Sequence, residues 1–470
     1  MNHAFQKGFT TLDKEVILDD LPVQGEIPHW LTGTLVRNGP AQFEVGARSF
    51  NHWFDGYAML HKFSFANGRV SYANKYLQSD GYKLAQKHGK IMASEFATDP
   101  CRSLFQRAAA LFSPQPSHNT NVNLTRLANK FVAMTETPLP VEFDLNTLAT
   151  LGIPEFQDEL GFGSSTAHPH YDPVRRAAIN QIVMFGRHTS YTLFAILDDR
   201  MERQVIGTIP VAEPGYMHSF GMTKNYLIVT EGPLVVNPLK LALASKPFIE
   251  NYEWKPERNG RFFVMRKADG EVVQTYQVDP FFTFHHVNAY EAEGEIIVDL
   301  LGYDDATLVQ DLYLKNLRGE AGGRITPGQF RRYHLPINGD KATFELLSEV
   351  GMELPRINYG RVNGKMYRYV YAGSYSQEQP YDFMNQLVKL DVETKQTTIW
   401  REEGCYPGEP IFVATPQAEA EDNGLILSVV LDGESGTSFL LVLDAASFSE
   451  IGRAAVSHHI PFGFHGQYFR

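Results

Sequence analysis

LFAILDDRMERQVIGTIPV, residues 193–211, places two apolar runs on either side of an acidic turn. Each run is too short for an ordinary helix and is rich in residues that favour extended chain, which predicts two antiparallel strands joined near Asp198. The same arrangement recurs as VEFDLNTLATLG (141–152), FFVMRKADGEVVQTYQV (262–278), LVKLDVETKQTTIWREEG (387–404) and LLVLDAASFSEIGRAAV (440–456). The turn aspartates Asp144, Asp198, Asp269, Asp391 and Asp444 are separated by 54, 71, 122 and 53 residues. The longest interval leaves room for another unit at YHLPINGDKATFELLSEV (333–350), with Asp340 in its turn. A period near 50 residues with several strands per unit predicts an all-β chain folded as a β-propeller. Paired β-sandwiches are the competing all-β arrangement. No linker or low-complexity stretch divides the chain, so residues 1–470 read as one domain.

Asn-Gly turns support the strand reading. They fall in FSFANGRVSYANKYL (63–77), RVNGKMYRYVYA (361–372) and AEDNGLILSVVLD (420–432), where tight hairpins need positive φ. Stretches with helical spacing are few, and SLFQRAAALF (103–112) and LVQDLYLKNLR (308–318) are the best of them. A net charge of −12 argues against an extended nucleic-acid footprint. No apolar run is long enough to cross a membrane as a helix. The N-terminal stretch lacks the basic and apolar regions of a secretory signal. Only Cys101 and Cys405 are present, so a disulfide framework is excluded and a cytoplasmic location is expected. GFGSS (161–165) lacks a βαβ context for nucleotides, and GESGT (433–437) does not match a nucleophile elbow.

The stretch with the most chemistry is FFTFHHVNAY (281–290). Alternation along a strand would put Phe282, Phe284 and His286 on one face and Phe281, Thr283 and His285 on the other. His168 in SSTAHPHYDP, His218 in GYMHSFGMT, His285 here and His465 in PFGFHGQYF share aromatic or Gly/Pro-flanked settings. His170 competes with His168 for the same face. Glu136, Glu353 and Glu409 each precede a proline within two residues, amid apolar neighbours, and a carboxylate in such a place needs a partner. Histidines that bind a metal commonly donate their second ring N–H to a carboxylate. Four imidazoles with three carboxylates therefore read as a metal site suited to Fe(II), Cu or Zn.

RNGP (37–40), HWFDGYAMLHKFSF (52–65), TAHPHYDP (166–173), HSFGMT (218–223), FHHVNAYE (284–291), ELPRINYG (353–360), GEPIFVATP (408–416) and PFGFHG (461–466) together resemble the carotenoid cleavage oxygenase family. They span nearly the whole chain, and TDPCRSLFQRAAALF (98–112) is similar to its animal-type branch. The resemblance implies a seven-bladed propeller capped by helices and loops, including about residues 98–118 and 305–320. It implies one Fe2+ held by His168, His218, His285 and His465. Glu136, Glu353 and Glu409 would orient His218, His285 and His465 respectively, with no carboxylate for His168. The implied activity is cleavage of a carotenoid or apocarotenoid double bond with O2 to give two carbonyl products, centrally at the 15,15′ bond to give retinal. Eccentric cleavage, stilbene cleavage and a non-catalytic propeller that binds apolar ligands are the alternatives. Met134 stands where the stilbene-cleaving branch has lysine, which argues against that branch. Thr135 is the expected neighbour of the open side of the metal. Leu104, Phe105, Leu111 and Phe112 are the expected patch for peripheral contact with a membrane.

Overall fold

The computed structural model describes residues 4–100, 118–161, 163–186, 188–242, 246–319, 325–379 and 382–470. Seven antiparallel sheets form the blades of a β-propeller. The expected acidic turns are the outer hairpins of five of them. Asp144, for example, lies between the strands Val141–Phe143 and Thr150–Gly152 of blade two, and its Oδ1 accepts from the N–H groups of Asn146 and Thr147. Asp391 in blade six and Asp444 in blade seven close their turns in the same way. A short carboxylate that bonds the backbone two and three residues on fixes such a turn locally, which is why these turns are legible from the sequence. The unit around Asp340 is the outer hairpin of blade five, Gln329–Pro336 with Thr343–Leu346. Blade one turns between Tyr57–Ala66 and Arg69–Tyr76 at Asn67 and Gly68, both at positive φ, so it has no acidic marker.

The two ends of the chain close the ring. Val23–Gly25 joins the strand Glu450–Val456 of blade seven, and Gly466–Phe469 pairs with Gly33–Gln42 of blade one. Between blades, consecutive residues of one strand pack in opposite directions. Leu227 joins the core shared with blade three, and Ile228 the core shared with blade five. Leu425 and Ile426 face blades one and six in the same way. The strands therefore read as continuous apolar runs, because both faces are buried.

Several local expectations fail. Asn423–Gly424 is not a tight hairpin turn: residues 415–423 join the strands Ile411–Ala414 and Gly424–Asp432, and neither Asn423 nor Gly424 has positive φ. The stretch 308–318 is two short helices, Thr307–Asp311 and Leu314–Leu317, with Tyr313 extended between them. The loop at 51–53 intervenes: Trp53 N–H donates to Leu312 O and Leu314 N–H to Asn51 O. The RVNGKMYRYVYA stretch is not a hairpin, because Tyr359–Val362 is helical and only Tyr369–Ser374 is a strand. Residues 101–117, including Cys101 and the patch of Leu104, Phe105, Leu111 and Phe112, lie outside the described residues. Among the described residues no helix is long and apolar enough to cross a membrane.

Candidate metal centre

Each blade delivers one residue to the ring's axis. Blades two to seven and then one contribute Glu136, His168, His218, His285, Glu353, Glu409 and His465 in chain order. The four imidazoles meet, with one nitrogen of each lying within 4.8 Å of the others, an arrangement that could hold a metal ion. His168 Nε2 faces His218 Nε2 at 3.0 Å, and His285 Nε2 faces His465 Nε2 at 3.2 Å. The opposite nitrogens of three rings are taken. His218 Nδ1 donates to Glu136 Oε1 at 2.6 Å, His285 Nδ1 to Glu353 Oε2 at 2.5 Å, and His465 Nδ1 to Glu409 Oε1 at 2.7 Å. His168 has no carboxylate partner among the described residues. His170 points elsewhere, its Nε2 at 2.9 Å from Phe220 O.

The carboxylates are themselves braced. Tyr216 OH donates to Glu136 Oε1 at 2.5 Å. Glu353 accepts from Tyr303 OH and, at 2.8 Å, from Leu354 N–H. Leu354 has φ +53, in the left-handed region that non-glycine residues seldom occupy, and its side chain lines the adjoining cavity. Glu409 is fully buried between two guanidinium groups, with Arg37 at 2.6 Å and Arg356 at 2.7 Å. Burial alone would raise the Glu409 carboxyl, but Arg356, His465 and Arg37 outweigh it and hold it well below the ordinary range. Glu353 is likewise lowered against its burial, chiefly by His285. Burial pushes His168 and His218 down and His465 to about 3, so these rings are neutral at neutral pH.

These contacts test whether a cation fits. With ionised Glu353 and Glu409 holding the Nδ1 protons, His285 and His465 are left with Nε2 lone pairs directed at each other at 3.2 Å. Two acceptors at hydrogen-bond distance with no proton between them repel, and a shared cation removes the conflict. The donor set therefore fits a divalent ion.

The FFTFHH strand does not alternate as expected. Its pairing with Glu295–Tyr303 shifts register between Thr283 and His286 and again before Asn288. The extra residue of such a bulge re-aims a side chain. As a result Phe284 and His285, adjacent in sequence, both line the cavity, while His286 bonds Ser219 and Thr230. The cavity measures about 510 Å³, its open mouth included, and is walled by Trp53, Phe54, Phe284, Leu308, Leu312, Phe383 and Phe464 beside the histidines. Of the aromatic residues in the sequence motifs, Trp53, Phe54, Phe284 and Phe464 line it, whereas Tyr57 packs on Phe50 and Tyr82, and Phe462 on Phe383. Thr135, next to Glu136, is half-buried, and Val122 is among the residues lining the cavity. Sequence reasoning assigned no role to Arg37, Arg356, Tyr216 or Tyr303. Arg37 and Arg356 lay inside two of the motifs, and Tyr216 two residues before His218, so position relative to the histidines was the available signal.

A propeller whose seven blades converge on four histidines and three carboxylates defines a class of β-propeller built around a metal centre. The model of the retinal pigment epithelial membrane protein family matches residues 9–470, and the chain belongs to that family, the carotenoid cleavage oxygenases. It is 36% identical over 523 residues to the mitochondrial carotenoid-cleaving dioxygenase of Mustela putorius furo, covering 98% of this chain and 95% of the relative. It is 35% identical to the β,β-carotene 15,15′-dioxygenase of Gallus gallus, covering 95% and 94%. Cobalt-substituted Synechocystis apocarotenoid oxygenase superposes with a TM-score of 0.89 at 26% identity, over 99% of this chain and 98% of the other.

Proposed function

We propose that the protein is an iron(II) dioxygenase that cleaves one double bond of a carotenoid or apocarotenoid, with O2 as co-substrate. The observation that carries this reading is the convergence of His168, His218, His285 and His465 beside an apolar cavity. Nδ1–H donation to Glu136, Glu353 and Glu409 presents the Nε2 lone pairs of His218, His285 and His465, and His168 completes the set. A bound ferrous ion would supply the redox chemistry that lets dioxygen react with a closed-shell alkene. In the balanced reaction one C=C and one O2 become two C=O groups, with one oxygen on each carbon and no proton gained or lost. General acid or base catalysis is unnecessary, in keeping with a wall that is aromatic and aliphatic apart from His218, His285, His465, Glu353 and Tyr375.

That wall suits a polyene: Trp53, Phe54, Phe284 and Phe464 offer ring faces and edges that grip carbon and exclude water. Leu308 and Leu312 line the cavity, which supports a cap contribution from this part of the chain. The central 15,15′ bond is the proposed scissile position, as the name of the chicken relative gives for that enzyme. The proposal includes a cytoplasmic setting, for which the cysteine-poor sequence speaks, and peripheral membrane contact through Leu104, Phe105, Leu111 and Phe112. Incubation of iron-loaded protein with β-carotene and with β-apo-8′-carotenal, followed by product chromatography, tests the reading. Retinal as the aldehyde product supports central cleavage, longer aldehydes support eccentric cleavage, and no carbonyl product from either substrate refutes the proposal.

A further inference from the structure

His218 sits on an irregular stretch between Gly215 and the strand Gly221–Met222, outside any ladder that would fix its backbone. His285 sits in the bulge of blade five. Ser219 joins the two. Its Oγ donates to Phe284 O at 2.6 Å and accepts from His286 N–H at 3.0 Å, so one hydroxyl holds the peptide groups on both sides of His285. A hydroxyl carries a single proton. With that proton on Phe284 O, the contact to His286 Nδ1 at 2.7 Å has the ring N–H donating to Oγ. Nε2 of the same ring is then an acceptor and takes the Thr230 hydroxyl at 2.7 Å. This is the arrangement of protons that satisfies every contact.

The glutamates cannot do the same work. Glu136 and Glu353 come from blades two and six and govern how each ring turns, whereas the gap between the two backbones lies across the boundary of blades four and five. We infer that Ser219, locked by the His286 ring, is a positioning residue that sets the spacing and mutual angle of His218 and His285, and through them the geometry of the metal centre. The two rings stand 5.0 Å apart at 82°. The inference rests on the metal-centre reading above.

Co(II) titration of the metal-free full-length protein, read by visible ligand-field absorption, tests it. Ser219→Ala is expected to weaken Co(II) binding about 10-fold, as loss of outer positioning contacts does, and to shift the bands. His286→Asn, whose amide nitrogen stands where Nδ1 stood, should retain the wild-type spectrum. His286→Gln, whose amide reaches the place of Nε2 and keeps Thr230 bonded, should reproduce the Ser219→Ala spectrum. A role in packing alone would not sort the two amides in that order. Wild-type bands and affinity in His286→Gln overturn the inference and leave the metal centre standing, and this comparison decides even if Ser219→Ala fails to fold. A wild-type protein that binds no Co(II) overturns both.

Discussion

Replacing Glu353 by glutamine removes a negative charge while keeping nearly every hydrogen bond. The amide oxygen can take the place of Oε2 and accept from His285 Nδ1 and Leu354 N–H, now at 2.5 and 2.8 Å. The NH2 group then faces Tyr303, whose hydroxyl turns from donor to acceptor. Only the electrostatic support of the imidazole is lost, so Glu353→Gln should weaken iron binding about 10-fold, roughly 1.4 kcal/mol. Glu353→Ala goes further. It strips the acceptor from three buried donors and frees His285 to move its proton to Nε2, closing that nitrogen to a cation. Metal affinity should fall about 100-fold, roughly 2.7 kcal/mol. Folding stability should fall by about 1–3 kcal/mol for each orphaned donor. Iron content at equilibrium with a competing chelator reads the first effect, and urea unfolding of the metal-free protein reads the second. Glu353→Gln with wild-type affinity, or Glu353→Ala binding no more weakly than Glu353→Gln, would refute this account of the carboxylate.

Three further outcomes are expected. His285→Ala should lose iron on gel filtration, whereas His286→Ala should retain one equivalent with affinity within about 10-fold of wild type; equal retention in the two variants would contradict the bulged strand. Glu409→Gln leaves the buried Arg37 and the half-buried Arg356 without their shared counter-charge and should cost about 3–5 kcal/mol of folding stability in denaturant titrations, and a loss below 1 kcal/mol would show that the pair is solvated. Acid should destabilise the metal-free fold. Burial holds His52 and His61 at about 3 against an ordinary 6.5, so the unfolded chain binds protons that the fold refuses below that value. Asp55, pushed up to about 6 by burial, acts in the opposite sense down to its ordinary 3.8. These three groups leave a net uptake of one proton on unfolding between pH 6 and 4, a loss of about 1.4 kcal/mol per pH unit. The lowered Glu353 and Glu409 deepen the loss below their ordinary value of 4.5. Stability that rises on acidification over this range would count against the assignment.

The sequence by itself determined the outer hairpins of several blades, since turns such as those at Asp144, Asp391 and Asp444 are built from contiguous residues: Asp144 finds its partners at Asn146 and Thr147, whatever the rest of the chain does. It also singled out the histidines and glutamates, because an ionisable group in an apolar, proline-flanked run needs an explanation before any fold is known. What only the tertiary structure decided is how those groups are held. Arg37 reaches Glu409 across 372 positions, and the ring has to close before either charge has a partner. The bulge that turns Phe284 and His285 toward one cavity depends on register against Glu295–Tyr303, and no local pattern encodes it. The break at Tyr313 comes from hydrogen bonds to the 51–53 loop, which override the helical spacing of 308–318. Short-range backbone preferences are written residue by residue, whereas a centre assembled from seven blades exists only once the chain has come round to its own beginning.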